Sequence, residues 1–327
     1  MRKITANDVA FATGYSPAAV SRAFRKGSPI SNGVREEILV AARDLGYSSP
    51  SARSVAAMTR GTITLVTGNL ENPFYPMAVA ALSQAIHQLG RRMILHAIPP
   101  RGDVDTVLEQ VLDLKSEAAI VTSTLMSSHI AKACRAQRMP VILFNRVQTD
   151  LGMTAVTCDN YGGGRLAAQR FIATGRQDIA MIGGRADTST HLERTRGFQD
   201  ALGETDCVVK RVIPGDYQYA TSLAAMTELL SVPGAIDAVF CANDIMALAA
   251  IDAARNKGVR VPDDVAIIGF DDISMASWPS YNLTTVRQPL NRMVADTLEL
   301  IDDQLADPGA IGAIRIAPVR LMVRGSC

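Results

Sequence analysis

A chain of 327 residues, 48% of them hydrophobic, is long enough for two or three packed units and too apolar to be disordered. Its five cysteines (Cys134, Cys158, Cys207, Cys241 and Cys327) are scattered and never spaced as CxxC, which excludes an obvious disulfide framework or zinc site and fits a reducing cytosol. Residues 1–15 lack the apolar run of an export signal and no later stretch approaches a membrane span, so a cytoplasmic protein without a membrane partner is expected.

The net charge of +1 hides an asymmetry. Residues 1–60 hold nine basic and four acidic side chains, a net +5, which leaves 24 basic and 28 acidic side chains, a net −4, for the rest. A basic amino-terminal unit on an acidic body suits attraction to phosphate by the first and repulsion between copies of the second.

Thr5 followed by Asp8 is an N-cap pair, and Val9 and Ala12 give helix one an apolar edge before Gly14 stops it. Ser16 caps a second helix, Pro17 to about Arg25, in which Pro17 occupies the first position and needs no N–H. Val20 and Phe24 fall on its inner face, leaving Ala18, Ser21, Arg22 and Arg25 outward. Ser31 caps a third helix with Val34, Ile38, Ala41, Ala42 and Leu45 at helical spacing and Gly46 after it. Three short helices with a tight glycine turn predict a helix-turn-helix head that offers its second helix to a major groove. Small Ala18 and Ser21 permit close approach, and Arg22 can fork onto guanine O6 and N7. The next segment, SSPSARSVAAMTRG, is small, polar and basic, the composition of a linker.

From Ile63 short apolar runs alternate with amphipathic stretches. Predicted strands are 63–67, 92–97, 118–122 and 141–144, then 179–183, 208–213, 238–242 and 265–270, two strand–helix series that imply two similar parallel-sheet lobes. The ending RIAPVRLMVRGSC also reads as strand, and no carboxy-terminal heptad run suggests a tetramer. Ligands of open parallel sheets bind beyond the strands' carboxyl ends. Polar residues stand there: NLENPFYP after the first strand, Asn145 and Arg146 after the fourth, Asn243 and Asp244 after the seventh, Asp271 and Asp272 after the eighth. Amides and carboxylates suit hydroxyls, and Phe74 and Tyr75 can cover an apolar ligand face.

These residues carry a resemblance. DVAFATGYSPAAVSRAF and the following VREEILVAARDLGY resemble the DNA-binding head of the lactose-repressor (LacI/GalR) family. NPF, ERTRGF, AND, GFDD and NLTTVRQP are similar to landmarks of that family's sensor, itself similar to periplasmic sugar-binding proteins, so the likeness spans nearly the whole chain. The fold it implies is α/β: an all-α helix-turn-helix head (1–47), a hinge (48–60) and a two-lobed parallel-sheet sensor (61–327). Lobe 1 would hold about 61–158 and 289–320, and lobe 2 about 159–288, with three crossovers between them.

By the same resemblance Thr5, Ser16, Pro17, Ala18, Ser21, Arg22, Arg25, Arg53 and Val55 serve DNA, Val55 taking the place of the family's hinge leucine as a minor-groove wedge. Phe74, Tyr75, Asn145, Tyr217, Asn243, Asp271 and Gln288 would contact the effector. Two departures stand out: Asn145 replaces a common Asp, and Leu192 occupies the place, five before the glycine of GF, where many sugar-binding members carry a clasping Arg. Arg194 is retained and is a candidate partner for an effector carboxylate.

The expected function is a repressor-type transcription regulator: a homodimer on a near-palindromic double-stranded operator, controlled by a sugar, polyol or sugar acid and needing no cofactor or metal. A transport-type binding protein is the alternative. Catalysis is not expected, because GGGR at 162–165 and IGGR at 182–185 match neither GxGxxG nor GxxxxGK[ST], and GxSxG and HExxH are absent.

Overall fold

The computed structural model describes residues 5–25, 28–45, 47, 61–98, 102–122, 126–148, 152–205, 207–232, 234–310 and 312–327. Gly46, Arg53, Val55 and the rest of the expected hinge lie outside them. Two compact units are present, Met1–Arg60 and Gly61–Cys327.

Among the described residues the first unit holds the helices α1 (Ala6–Thr13), α2 (Pro17–Ala23) and α3 (Asn32–Asp44). Val9, Ala10, Val20, Ala23, Ile38, Ala42 and Tyr47 form its core, and Phe24 meets Tyr47 edge to face at 5.7 Å. Gly14 ends α1 with φ 72°, a left-handed conformation glycine adopts without strain. Helix α2 ends at Ala23, two residues short of the expected Arg25. There the Arg25 N–H turns back to the Arg22 carbonyl, while Arg35 Nη2 takes the carbonyls of Arg25 and Ser28.

The second unit contains two six-stranded sheets. In the first, β1 (Thr62–Thr67), β2 (Arg92–Ala97), β3 (Ala118–Thr122), β4 (Val141–Phe144) and β5 (Thr154–Cys158) pair in parallel with the late strand β11 (Ile314–Ala317), in the order β11-β5-β4-β3-β1-β2. In the second, β6 (Asp178–Gly183), β7 (Val208–Pro214), β8 (Ala238–Cys241), β9 (Ala266–Asp271), β10 (Thr284–Arg287) and β12 (Arg320–Met322) run in the order β12-β10-β9-β8-β6-β7, with β12 antiparallel. All six residues of β1 are buried, which identifies a sheet covered on both faces: Ile63 and Leu65 enter one apolar cluster and Val66 another.

Helices α4 (Phe74–Gln88), α5 (Val104–Asp113) and α6 (Ser128–Ala136) connect the first sheet, and α7 (Asn160–Ala173), α8 (Ser189–Leu202), α9 (Tyr219–Leu229) and α10 (Asp244–Asn256) the second. Helix α11 (Leu290–Ala306) carries the chain back toward β11. The chain passes between sheets three times, after Cys158, after Arg287 and after Ala317. At the last passage the first lobe's final strand ends at Ala317. Pro318 has no N–H to extend the ladder, and Arg320 already pairs with Arg287 in the second sheet. No helix among the described residues is long and apolar enough to cross a membrane.

Candidate ligand cleft and nucleic-acid interface

In the head, the N–H and hydroxyl of Thr5 both donate to Asp8 Oδ2 at 2.7 Å, and Ser16 Oγ accepts from Ala19 N–H at 3.2 Å. Both are helix-start devices that fix where each helix begins. With Val20 and Ala23 committed to the core, Ser16, Pro17, Ala18, Ser21, Arg22 and Arg25 are exposed; Ala18, Ser21 and Arg22 share one face of α2, and Arg25 follows its end. Phe11 on α1 is 93% exposed. Seven of the nine residues expected to serve DNA are thus on the surface of the head; Arg53 and Val55 lie outside the described residues.

In the second unit, a narrow cleft opens at the carboxyl ends of both sheets. Asn69, Asn72, Phe74, Tyr75, Asn145 and Arg146 line it from the first lobe, and Thr190, Arg194, Tyr217, Asn243 and Asp271 from the second. Across its rim Val147 N–H donates to Ser189 Oγ at 3.0 Å. The backbone is strained toward this space: Asn69, Asn145, Tyr217 and Asp271 all have φ between 52° and 121°. Non-glycine residues hold such angles only where surrounding structure enforces them, and they gather at binding sites.

The polar groups divide into anchored and unmatched ends. Asn145 Nδ2 donates to Tyr75 Oη at 3.4 Å, while Asn145 Oδ1 has no protein partner. Asn243 Oδ1 caps α10 by accepting from Met246 N–H, and its Nδ2 is unmatched. Tyr217 Oη is 3.0 Å from Thr190 Oγ1. Gly184 lets that ring come close, since a Cβ there would lie 2.1 Å from it. Gln288 does not line the cleft; it stands behind Asp271, donating from Nε2 to Asp271 Oδ1 at 2.7 Å with its own Oε1 unmatched. Buried polar atoms without partners cost about 1–3 kcal/mol each, so water or a bound molecule is expected to meet the amide ends of Asn145 and Asn243.

Arg194 is 2% exposed and fully engaged within the protein. Nε donates to Asn160 Oδ1 at 2.8 Å, Nη1 to the Ala242 carbonyl at 2.6 Å, Nη2 lies 3.5 Å from Asp271 Oδ1, and the guanidinium sits 3.6 Å over the Phe270 ring. The guanidinium expected to meet an effector carboxylate meets one of the protein's own. Leu192 is 54% exposed and faces away from the cleft. Thr190 and Arg194, four apart, share the inward face of α8, so a position midway between them points outward.

Thr190 was the cleft residue least visible in the sequence; its only signal is that spacing from Arg194. Burial raises the Asp271 carboxyl to about 6, outweighing the opposing attraction of Arg194 and the Gln288 hydrogen bond. Asp244, wholly buried, is also held well above the ordinary range by burial and by Asp271. His191 is pushed down by burial and by Arg194, so its neutral Nδ1 accepts from Gly184 N–H at 3.1 Å. Asp272 turns the other way and pairs with Arg287 and Arg324, so the adjacent carboxylates do not form an acid pair.

The periplasmic binding protein-like domain family matches residues 168–327. The HTH-type transcriptional regulator DegA of Bacillus subtilis (strain 168) is 30% identical over 302 residues, covering 90% of this chain and 89% of that protein. The probable HTH-type transcriptional repressor ExuR of the same organism is 29% identical over 333 residues, covering 99% and 98%. A solved complex of the transcriptional regulator CelR with cellobiose shares 28% identity and a TM-score of 0.74, covering 99% of this chain and 100% of that one. A helix-turn-helix head, a two-lobed sensor with a polar cleft and full-length likeness to such regulators together settle the lineage: the chain belongs to the LacI/GalR family of transcriptional regulators.

Proposed function

We propose that this protein is a cytoplasmic repressor whose hold on a near-palindromic operator is set by a small sugar, polyol or sugar acid in the cleft. The observation that carries this reading is the convergence of Asn145 Oδ1, Asn243 Nδ2 and the Asp271 carboxylate, from both lobes, on one small space. Two unmatched amide ends and a carboxylate accept and donate as a polyhydroxyl compound requires, and Phe74 and Tyr75 supply the apolar cover a ring face prefers. The CelR complex, whose ligand is cellobiose, supports the same ligand class.

A two-fold dimer reads a two-fold site, with half-sites about one helical turn apart. The apolar edge strand β2, where Ile94 is 36% and Leu95 42% exposed, is the surface offered to a second copy. Switching requires that the effector prefer one lobe arrangement: about 5.5 kcal/mol of differential affinity moves a 1:99 population to 99:1. The relatives are regulators rather than enzymes, and a transport-type binding protein has no use for the exposed Ser21, Arg22 and Arg25.

Selection of bound sequences from random duplex DNA, followed by mobility shift with competitor, tests the DNA half; a single symmetric motif is expected. Titration calorimetry against a panel of sugars, polyols and uronates tests the other half. Sequence-blind DNA binding, or silence across the whole panel, overturns the corresponding part.

A further inference from the structure

We propose that Asn160 is a positioning residue that holds the two sensor lobes at a fixed angle and ties that angle to the effector cleft. The inference rests on the regulator reading above for its purpose, but not for its geometry. Asn160 follows the first crossover, is 6% exposed and uses both ends of its amide. Nδ2 donates to Thr157 Oγ1 at 3.0 Å and to the Cys158 carbonyl at 3.1 Å, both on the first lobe's strand β5. Oδ1 accepts from Arg194 Nε on the second lobe's α8.

The chain of contacts continues in both directions. Thr157 Oγ1 donates to the carbonyl of Asn145, which lines the cleft. On the far side Arg194 meets Asp271, and Asp271 accepts from Gln288 at the second crossover. Next to Asn160, Asp159 N–H donates to the Ala317 carbonyl at the third crossover. A cleft residue from each lobe and all three crossovers are therefore joined within a few hydrogen bonds, and Asn160 stands in the middle of that network, bonded to Thr157 and Cys158 on one side and to Arg194 on the other. A shift of Asn145 relative to Asp271 therefore strains this network, alongside the Val147–Ser189 bond across the cleft rim. Buried, fully matched networks have few alternative arrangements, which is what a two-position hinge needs.

The test measures the interlobe distance in the full chain without effector or DNA. Nitroxides are placed at the exposed positions Glu109→Cys and Asn256→Cys, in a Cys207→Ser background, and read by double electron–electron resonance. Asn160→Ala is expected to raise the population outside the parent distance about tenfold, the factor about 1.4 kcal/mol of lost lobe-to-lobe bonding produces. Thr157→Val, which removes one hydroxyl, should act in the same direction by less, and it decides the matter if Asn160→Ala does not fold. A lowered unfolding midpoint with an unchanged distance distribution overturns the proposal and makes Asn160 merely structural. Loss of sequence-specific DNA binding by the parent protein would defeat the regulator reading instead and leave the distance result standing.

Discussion

Arg194 Nη2 stands 3.5 Å from Asp271 Oδ1, and neither side chain is more than 3% exposed. The pair balances the two buried charges inside the sensor, at the wall of the cleft. Arg194→Met keeps the length of the side chain but leaves Asp271 buried without its partner, and breaking such pairs costs about 3–5 kcal/mol. Urea unfolding of the variant should show a loss of that order. A change within 1 kcal/mol would mean that the pair is dispensable.

The same pair gives a pH dependence whose sign follows from burial. Asp271 titrates at about 6 in the folded protein, against about 3.9 for an exposed Asp. Between those values the folded state holds a proton that the unfolded state has released, so stability falls as pH rises through this window and is flat above it. Asp271→Asn removes the titration. The parent's stability minus the variant's, from denaturant midpoints at pH 4.5 to 7.5, should therefore decline toward pH 6 by on the order of 2 kcal/mol. A difference that does not change with pH, or grows, contradicts the assignment.

The sequence revealed the long, fully apolar strands and the polar residues behind them because both signals are local. Strands β5, β10 and β11 were less legible. TAVTC and TTVR are short and rich in threonine, and their place in the sheets is fixed by partners far away in sequence. The continuous RIAPVRLM hid a change of sheet at Pro318. In the cleft, residue type pointed to Asn145, Asn243 and Asp271, and all three line it. It said nothing of direction, and direction is what brings Arg194, itself at the cleft wall, against Asp271.

Dimer formation is expected to depend on the β2 edge. Leu95 is 42% exposed on a strand that, among the described residues, is hydrogen-bonded only to β1, an edge open to a second copy. Leu95→Glu should sediment as a monomer in analytical ultracentrifugation while retaining the parent circular dichroism. Its affinity for a full operator should fall about 10²-fold or more, because the second head no longer binds as a tethered partner. A dimer that survives this charge uses another surface.

Gly184 should be intolerant of any side chain. A Cβ there would come within 2.1 Å of the Tyr217 ring, whose own backbone is fixed at φ 60°, so the ring cannot retreat without releasing Thr190. Gly184→Ala should cost about 1–3 kcal/mol of stability through overpacking. It should also weaken effector binding in calorimetry, because Tyr217 lines the cleft. Tyr217→Ala in the same background removes the clash. Recovery of stability without recovery of binding would show that the ring serves the ligand; recovery of both would show that it is only in the way.

Arg22 and Arg25 are both exposed, but their places in the head differ. Arg22 lies within α2 beside small Ala18 and Ser21, where the backbone can approach base edges; Arg25 lies beyond the helix end, where the chain turns toward α3. Base contacts carry sequence preference and phosphate contacts do not. Arg22→Ala should therefore cost about 1–3 kcal/mol on the selected operator and flatten the preference at one base pair in each half-site. Arg25→Ala should weaken binding to operator and random duplex equally and reduce the slope of log K against log salt by about one. Mobility shifts on both duplexes at several salt concentrations separate the two roles. If Arg22→Ala lowers affinity for all sequences alike, the guanidinium touches the backbone, and the reading of the operator must come from other residues of the same face.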